Sequence, residues 1–554
     1  MKKILCMFAA AVLALTTALA FVGCRTKTPN DENSLEIYMT VGGYGSEWVE
    51  NLIPIFEEQN PGAKVYLETE IGVELARNKV SAGPSATTAD LFISLEDWGT
   101  LIMQGENGVA GYDYALEDLT DFLDEEDADG NTLRNRFYDN FLTATAVEVQ
   151  MSDNTYQDRN FVIPYMTGVL GIVYNKVMFD KYGWDEDPNT TDELLDVCDQ
   201  MIAEGIVPFE NEGTTGYIDY MTHTLFAQYL GNDEYYDYFS PTTEDDWVNY
   251  SAEYGSKASL YTMQVMNQVE NPSYGRMNPY VTEDGYERVQ GRLISGEGAM
   301  SINGDWFDNE MGVTIEQANS KEKIYESGMM KFPVISALSD QLSYWETILP
   351  GKDYQSACSD VPACTAGLEA CDELLSLLVD YVDGGMQGEL PSIQYSGQTI
   401  TATEADAERV AEARSCFTSL GGGHTMVIPA YATAKELAKE FIRLCFSETG
   451  IDVFMDVSKG ALLPVKYDME SWDGYSSATQ FEKDIYDIAK DGTAIQHSST
   501  VNWLISGLPS PMSNVKFFQY KVTDSGYISP EKYFEQNSLD RAGFLVIMRQ
   551  AGLL

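Results

Sequence analysis

Residues 34–69 read SLEIYMTVGGYGSEWVENLIPIFEEQNPGAKVYLET, and the pattern of this stretch decides the fold class. Ser34 to Thr40 has the composition of a strand, and a glycine-rich turn follows it. Apolar residues then recur every four positions, at Trp48, Leu52 and Phe56. This spacing places them on one face and predicts an amphipathic helix behind the strand.

Two further strands are predicted after this helix. They are Lys64 to Thr69 and Asp90 to Ser94, and the Asn60-Pro61-Gly62 turn ends the helix before the first of them. Ser46 is the predicted N-cap, while Pro54 inside the helix predicts a kink or a later start, because proline has no amide hydrogen. Strand, helix and strand in alternation indicate a parallel sheet with helices on its faces, so the sequence predicts an α/β fold.

The strongest helical pattern in the chain covers residues 433–447. Thr433 and Glu436 have the spacing of a capping box, in which two side chains bind the backbone amides at the start of a helix. Gly450 is predicted to end this helix.

The first 24 residues have the pattern of a secretory signal peptide. Two lysines precede an apolar run from Ile4 to Val22, which is too short to be read first as a transmembrane helix, and Cys24 closes the segment. A cysteine at the cleavage site can carry lipid. We therefore predict a lipoprotein signal at 1–23, lipid on Cys24 and a polar tether at 24–33. The alternative is an ordinary signal peptide with an incidental cysteine.

Composition limits the classes of partner. Removal of 23 residues from 554 leaves 531, which predicts two or three domains. The net charge is −53, from 34 basic and 87 acidic residues, so neither nucleic acid nor an anionic lipid surface is an expected direct partner. No second apolar run has membrane-spanning length, and everything after the tether is expected to be soluble.

Six cysteines remain outside the signal and the attachment site. Cys358, Cys364 and Cys371 lie close enough in sequence for a local disulfide, although buried free thiols are equally open. Their spacing does not match the close cysteine pairs of zinc sites, and the sequence has no HExxH, GxSxG or GxxxxGK[ST] motif. No metal and no cofactor are expected.

Several stretches, in order, resemble the extracellular solute-binding lipoproteins of ABC transporters, specifically the carbohydrate-type family (solute-binding protein family 1). No single stretch is diagnostic, but their order behind a lipoprotein signal is typical of that family. The matching stretches are the strand-turn-helix at 36–61, ADLFISLEDWG at 89–99, FVIPYMTGVLGIVYNKVMFDKYG at 161–183, TTDELLDVCDQMIAEGIVPF at 190–209, SGEGAMSINGDWF at 295–307 and IPAYATAKELAKEFIRLCFSETGIDVFMDVSKGALLPV at 428–465.

The resemblance implies a periplasmic-binding-protein-like α/β fold with two lobes, a hinge of crossing strands and a ligand cleft between the lobes. Lobe one is expected at 34–163 plus 420–462, and lobe two at 168–335 plus 463–554. Residues 336–419 match nothing in the family pattern and are predicted to be an insertion.

A sugar presents hydroxyls to carboxylates and amides, and its C–H faces lie flat on aromatic rings. A saccharide site therefore needs aromatic residues beside short polar side chains on turns at predicted strand ends, where α/β sheets bind ligands. The candidate ligand-binding residues are Tyr44, Glu47, Asp97, Trp98, Tyr165, Asn303, Asp305, Trp306 and Trp345.

Each candidate also has an ordinary structural alternative. Trp306, where the family often stacks a sugar ring, could instead pack beneath the second lobe. Asp97 could be only a helix cap, and Asn303 and Asp305 could only shape their turn.

The resemblance implies a receptor, not an enzyme, that captures a saccharide by lobe closure and delivers it to ABC permease subunits. Lipid on Cys24 would hold it on the extracellular or periplasmic face of the cell membrane. The alternatives are a secreted carbohydrate-active hydrolase, since 87 acidic residues guarantee some close carboxyl pairs, and a surface adhesin lipoprotein. The identity of the sugar, or of a non-sugar solute, stays open.

Overall fold

The computed structural model describes residues 32–70, 74–95, 98, 112, 114–127, 130–150, 155–212, 217–239, 257–279, 284–357 and 362–496. The predicted signal peptide, Cys24, Asp97 and Cys358 lie outside these residues.

Strands and helices alternate along much of the described chain. The strands are β1 Ser34–Thr40, β2 Lys64–Glu70, β3 Leu91–Ser94, β4 Val147–Gln150, β5 Tyr156–Arg159, β6 Ile163–Pro164, β7 Leu170–Asn175, β8 Val207–Phe209, β9 Gly298–Gly304, β10 Ser327–Met330, β11 Ser392–Tyr395, β12 Gln398–Thr401, β13 Cys416–Ser419, β14 Thr425–Val427 and β15 Thr493–Gln496. The helices are α1 Glu47–Gln59, α2 Glu74–Ser81, α3 Thr120–Leu123, α4 Leu133–Arg136, α5 Asp139–Ala144, α6 Lys176–Tyr182, α7 Thr191–Ala203, α8 Tyr217–Leu230, α9 Asn232–Phe239, α10 Lys257–Glu270, α11 Tyr286–Ser295, α12 Phe307–Ala318, α13 Trp345–Ile348, α14 Tyr354–Ala357, α15 Pro362–Asp383, α16 Glu404–Ser415, α17 Lys435–Cys445, α18 Glu448–Ser458 and α19 Gln480–Lys490.

The chain divides into two compact units. Unit 1 is made of residues up to 133, 159–163 and 425–453, and unit 2 is made of 134–158, 164–424 and 454 onwards. The lobe boundaries given above stay predictions.

Unit 1 contains a five-stranded sheet with the order β2-β1-β3-β14-β6. β1 is parallel to both of its neighbours, and β14 is antiparallel to β3. All seven residues of β1 are buried, and α1 covers the sheet with Trp48, Val49, Leu52 and Phe56. The predicted α/β class is confirmed, because strand and helix alternate here as the periodicity indicated.

The start of α1 differs from the prediction in one respect. The helix begins at Glu47 and runs through Pro54, so the later start allowed for above is wrong. Ser46 is the N-cap residue, but its hydroxyl donates to the Glu50 carboxylate at 2.7 Å and caps no backbone amide.

The capping box predicted for α17 is wrong. The helix begins after Ala434, and no side chain of its own first turn binds the amides there. Instead the Asp90 carboxylate accepts hydrogen bonds from the backbone amides of Thr433 and Ala434, each at 3.0 Å. Its other oxygen accepts from the Glu36 amide at 3.0 Å, so one buried carboxylate connects β1 to this helix.

The end of α17 also differs from the prediction. The helix stops at Cys445, and Gly450 lies inside the next helix, α18, where its amide donates to the Ser447 hydroxyl at 3.1 Å. The assignment of Gly450 as the terminating glycine is therefore wrong.

Unit 2 is built around a four-stranded sheet with the order β10-β7-β9-β8. β7 is antiparallel to β9 and to β10, whereas β8 is parallel to β9. Every residue of β7 and β9 is buried, which is typical of a sheet covered on both faces.

Three chain segments of unit 2 meet beside this sheet. The Thr167 amide donates to the Leu462 carbonyl at 2.7 Å, and the Leu420 amide donates to the Gly168 carbonyl at 3.0 Å. Gly168 has a φ of +62°, and a Cβ there would lie 2.9 Å from the Leu420 nitrogen, so only glycine permits this approach.

Cys198, Cys364, Cys371, Cys416 and Cys445 are buried free thiols. A disulfide through Cys364 or Cys371, one of the two alternatives left open by the sequence, is therefore not formed. Within the described residues, no helix combines the length and apolar character that crossing a bilayer requires.

Candidate functional site

The first candidate site lies at one edge of the sheet in unit 2. β8 and β9 are parallel, with Val207 opposite Gly298 and Phe209 opposite Met300. The residues that follow both strands therefore emerge at the same edge, which is where open α/β sheets place their ligands.

An aromatic pair lies beyond the end of β9. The Trp306 ring is 6.0 Å from the Tyr217 ring at an angle of 59°, and Trp306 is only 6% exposed. A Cβ on Gly304 would lie 2.2 Å from the Trp306 ring. The indole therefore rests directly on the Gly304 backbone, and any larger residue at position 304 would displace it.

Two predicted ligand residues flank this pair. The Asn303 side-chain oxygen accepts from the Gly304 amide at 2.9 Å, and its buried Nδ2 has no partner in the described part of the chain. The Asp305 carboxylate accepts from the Val169 amide at 3.0 Å, and the Asp305 amide donates back to the Val169 carbonyl at 3.0 Å. Asp305 therefore connects the β9 turn to the segment before β7, and its ligand role stays a prediction.

The sequence reasoning missed the residues that follow β8. Asn211 accepts from the Ile302 amide at 3.0 Å through its side chain, and its own amide donates to the Asn278 side chain at 2.9 Å. Glu212 comes next and is 1% exposed. The available signal was the polar stretch ENEG at residues 210–213, directly after the residues that form β8, because polar residues at a strand end mark this edge.

Burial sets the electrostatics of this edge. It raises the pKa of the Tyr217 hydroxyl, with a smaller contribution from the Glu310 charge. Burial also raises the pKa of Glu310, against a hydrogen bond from Gln290. At neutral pH the tyrosine is therefore a neutral donor.

Tyr165 lies in another part of unit 2, on the segment after β6. Its amide donates to the His424 carbonyl at 2.9 Å, and the two rings meet edge to face at 6.0 Å. Burial lowers the pKa of His424 to about 4 and raises the pKa of Tyr165, so both rings are neutral at pH 7.

Three predicted residues lie in unit 1, after the carboxyl ends of the neighbouring strands β1 and β3. Tyr44 is buried in the glycine turn, and Glu47 is exposed at the start of α1. Trp98 is buried, and its indole nitrogen donates to the Thr425 hydroxyl at 2.9 Å. The structure therefore brings the β1 turn and Trp98 to one edge of the unit 1 sheet, and their ligand roles stay predictions.

Trp345 opens α13 and is buried. Its indole nitrogen donates to the Lys352 carbonyl at 2.6 Å, and its ring lies 6.1 Å from that of Tyr354. Both contacts are local, and its ligand role stays a prediction. Among the described residues, no group of three His, Cys, Asp or Glu side chains could hold a metal ion.

Comparison with known proteins decides the family. Residues 42–337, more than half of the chain, match the family described as "Bacterial extracellular solute-binding protein". The chain belongs to this family. The resemblance drawn from the sequence is thereby confirmed.

The curated relatives of this solute-binding protein match over part of their length. A protein of Brucella abortus that is named as a binding protein is 24% identical over 289 residues, which are 50% of this chain and 59% of that protein. The diacetylchitobiose binding protein of Streptomyces coelicolor is 24% identical over 175 residues, which are 31% of this chain and 33% of that protein. The chain thus spans less than two thirds of either relative.

Solved structures show the same fold. A structure named "probable secreted solute-binding lipoprotein" from Streptomyces coelicolor has a TM-score of 0.55 at 13% identity, over 92% of this chain and 98% of that one. A bacterial solute receptor described as preferring β-D-galactopyranose has a TM-score of 0.54 at 10% identity, over 92% of this chain and 99% of that one. The predicted fold of a periplasmic-type solute receptor is confirmed.

Proposed function

We propose that this solute-binding protein captures a saccharide outside the cell and delivers it to an ABC permease, with lipid on Cys24 holding it at the membrane. Family membership supports capture of a solute. Two of the similar proteins are described as binding diacetylchitobiose and galactopyranose, which favours a sugar.

The observation that carries the sugar assignment is the aromatic pair of Trp306 and Tyr217 at the carboxyl edge of β8 and β9. A sugar ring stacks its C–H face on an indole, and its hydroxyls need acceptors and donors nearby. Asn303, with its unpaired Nδ2, and Glu212 lie at the same edge and can provide both.

Capture is proposed to work by lobe closure, in which the ligand favours the closed state because it touches both lobes there. Tyr44, Glu47, Asp97 and Trp98 are the proposed contacts from lobe one, and Tyr165 is a proposed contact near the hinge. A saccharide that binds this way should reduce the radius of gyration measured by small-angle X-ray scattering.

The test is a thermal-shift screen of the mature chain against mono- and oligosaccharides, followed by calorimetry on each ligand found. Trp306→Ala should weaken binding by ~1–3 kcal/mol, which is roughly 5- to 150-fold in Kd. The matched control is Trp472→Ala, since Trp472 also lies over a glycine, Gly474, in unit 2. An unchanged Kd in Trp306→Ala would remove that residue from the site.

The two alternative functions, a secreted hydrolase and a surface adhesin, predict different results in the same screen. A hydrolase would release reducing sugar from the panel, whereas a receptor is stabilised without product. An adhesin would show no stabilisation by any small saccharide. The anchor is tested separately by detergent phase partition of the expressed full chain, in which Cys24→Ala should move the protein to the aqueous phase.

A further inference from the structure

Unit 2 contains a large cavity away from the Trp306 edge, and most of its lining residues follow the part of the chain that matches the family. Its volume is about 860 Å³, within the usual range for small-molecule sites. Its walls are Tyr174 of β7, residues Glu186 and Asp187 after α6, the end of β10, the last residues of α15, the last turn of α16 and one face of α19. The family match ends at residue 337, so the walls from α15, α16 and α19 lie outside it, whereas the other three lie inside it.

Two basic groups in the wall have unused hydrogen-bonding capacity. Arg414 is 97% buried, since its side chain is 3% exposed, and its Nη1 has no acceptor within the described chain. Its Nη2 binds Asp187 at 3.0 Å and Asp383 at 2.9 Å, which holds the guanidinium in place. Lys331 is half-buried at the end of β10 and has no hydrogen bond or ion pair to any described residue.

The acidic groups of the wall, unlike Lys331, already have hydrogen-bond or ion-pair partners. Asp484 accepts from the Met329 amide at 2.9 Å and from Gln480 at 2.7 Å, and Asp487 pairs with Lys490 at 2.6 Å. A carboxylate has about four acceptor positions, so each of these groups can still accept from a ligand. The wall thus combines unpaired donors with acceptors that have spare capacity.

The charges of the wall select the class of ligand. The lining holds six acidic and three basic side chains in the described residues, so an anion would meet excess negative charge. A cation would be attracted by that negative charge, but it has no acceptor for the free N–H groups of Lys331 and Arg414, which would stay unpaired and repel it. A neutral polyol avoids both penalties, because each hydroxyl both donates and accepts.

We propose that this cavity is a second binding site, separate from the Trp306 edge, for a neutral oligosaccharide. The ring of Tyr174 and the side chains of Val382 and Ile488 provide apolar wall for the C–H faces of the sugar. Lys331 and Arg414 donate to its oxygens, and the carboxylates accept from its hydroxyls.

The site is tested in the Trp306→Ala background, so that binding at the Trp306 edge is weakened and the dependence on Lys331 reports on this cavity. Maltotriose, cellotriose, xylotriose and triacetylchitotriose are the probes, and saturation-transfer NMR detects their binding. We expect at least one probe to bind and Lys331→Met to weaken it at least tenfold. Lys331 has no partner to lose, so this variant should keep the wild-type melting temperature. Lys323→Met is the matched control, because Lys323 is exposed and pairs with Glu326 outside the cavity.

Three results would overturn the proposal. One is the absence of binding for all four probes, and another is equal binding to the Lys331→Met and Lys323→Met variants. The third is binding of putrescine or glucuronate in place of the neutral probes. If Trp306→Ala does not fold, the number of bound probe molecules per wild-type chain, counted by native mass spectrometry, decides between one and two sites. The Trp306 edge can fail its own test while this cavity passes, and the reverse also holds.

Discussion

Asp308→Asn should make the protein more stable at neutral pH and remove part of its pH dependence. Asp308 lies in the first turn of α12, and burial raises the pKa of its carboxyl to about 6 from an ordinary value of 3.8. The hydrogen bond from the Ser327 hydroxyl and the Lys459 charge oppose this shift, while Glu482 and Glu326 add to it.

The magnitude follows from the difference between the two pKa values. Two pKa units correspond to about 3 kcal/mol. The folded state binds the extra proton, so this stability is present below about pH 4 and is lost as the pH rises through 6. Asparagine resembles the protonated acid and can still accept from Ser327. Above pH 7 the variant should therefore exceed wild type by at most about 3 kcal/mol, or of order 5 °C in Tm.

The assay is thermal unfolding of both proteins at pH 4.5 and 7.5. The difference in Tm between variant and wild type should be several degrees at the higher pH and about a third as large at the lower one, which still lies above the ordinary pKa of 3.8. Asp180→Asn is the control, since Asp180 is exposed beside Lys176 and should change little at either pH. A difference in Tm that is the same at both pH values would refute the reasoning.

Three further outcomes are expected. Gly304→Ala should displace the Trp306 ring and weaken saccharide binding at least tenfold in calorimetry, because an added Cβ would overlap the indole; unchanged affinity would contradict the stacking role. Asp305→Ala should lower the Tm by an amount equivalent to ~1–3 kcal/mol, since the buried Val169 amide loses its acceptor, and a Tm equal to wild type would show that this contact is dispensable. Asp90→Ala should destabilise unit 1 by at least ~2 kcal/mol, because the backbone amides at the start of α17 and in β1 lose the carboxylate that they share. Hydrogen exchange at those amides measures the loss of stability, and unchanged protection would contradict the prediction.

The local elements were predictable from the sequence. The strand at Ser34–Thr40 and the helix that ends before Asn60 were read from patterns spanning only a few residues. Hydrophobic periodicity reports which face of an element is buried, whatever that element packs against. The family could also be read, since several motifs in a fixed order carry more information than any one of them.

The candidate site was only partly predictable. The NGDW turn identified Trp306 and Asn303, whereas Asn211, Glu212 and Tyr217 were missed because they follow a different strand. Their place beside Trp306 depends on the parallel pairing of β8 with β9, which joins residues about 90 positions apart in the chain. No pattern within a short window contains that pairing.

The sequence by itself determined the α/β class, the solute-receptor family and the limits of most local elements, because these follow from spacing along the chain. Tertiary structure alone decided which polar groups meet. Asp90 supplies the cap that Thr433 and Glu436 were predicted to form, and Asp305 binds Val169. The physical reason is that a buried polar atom must find a partner, and the topology of the sheet determines which partner lies within reach.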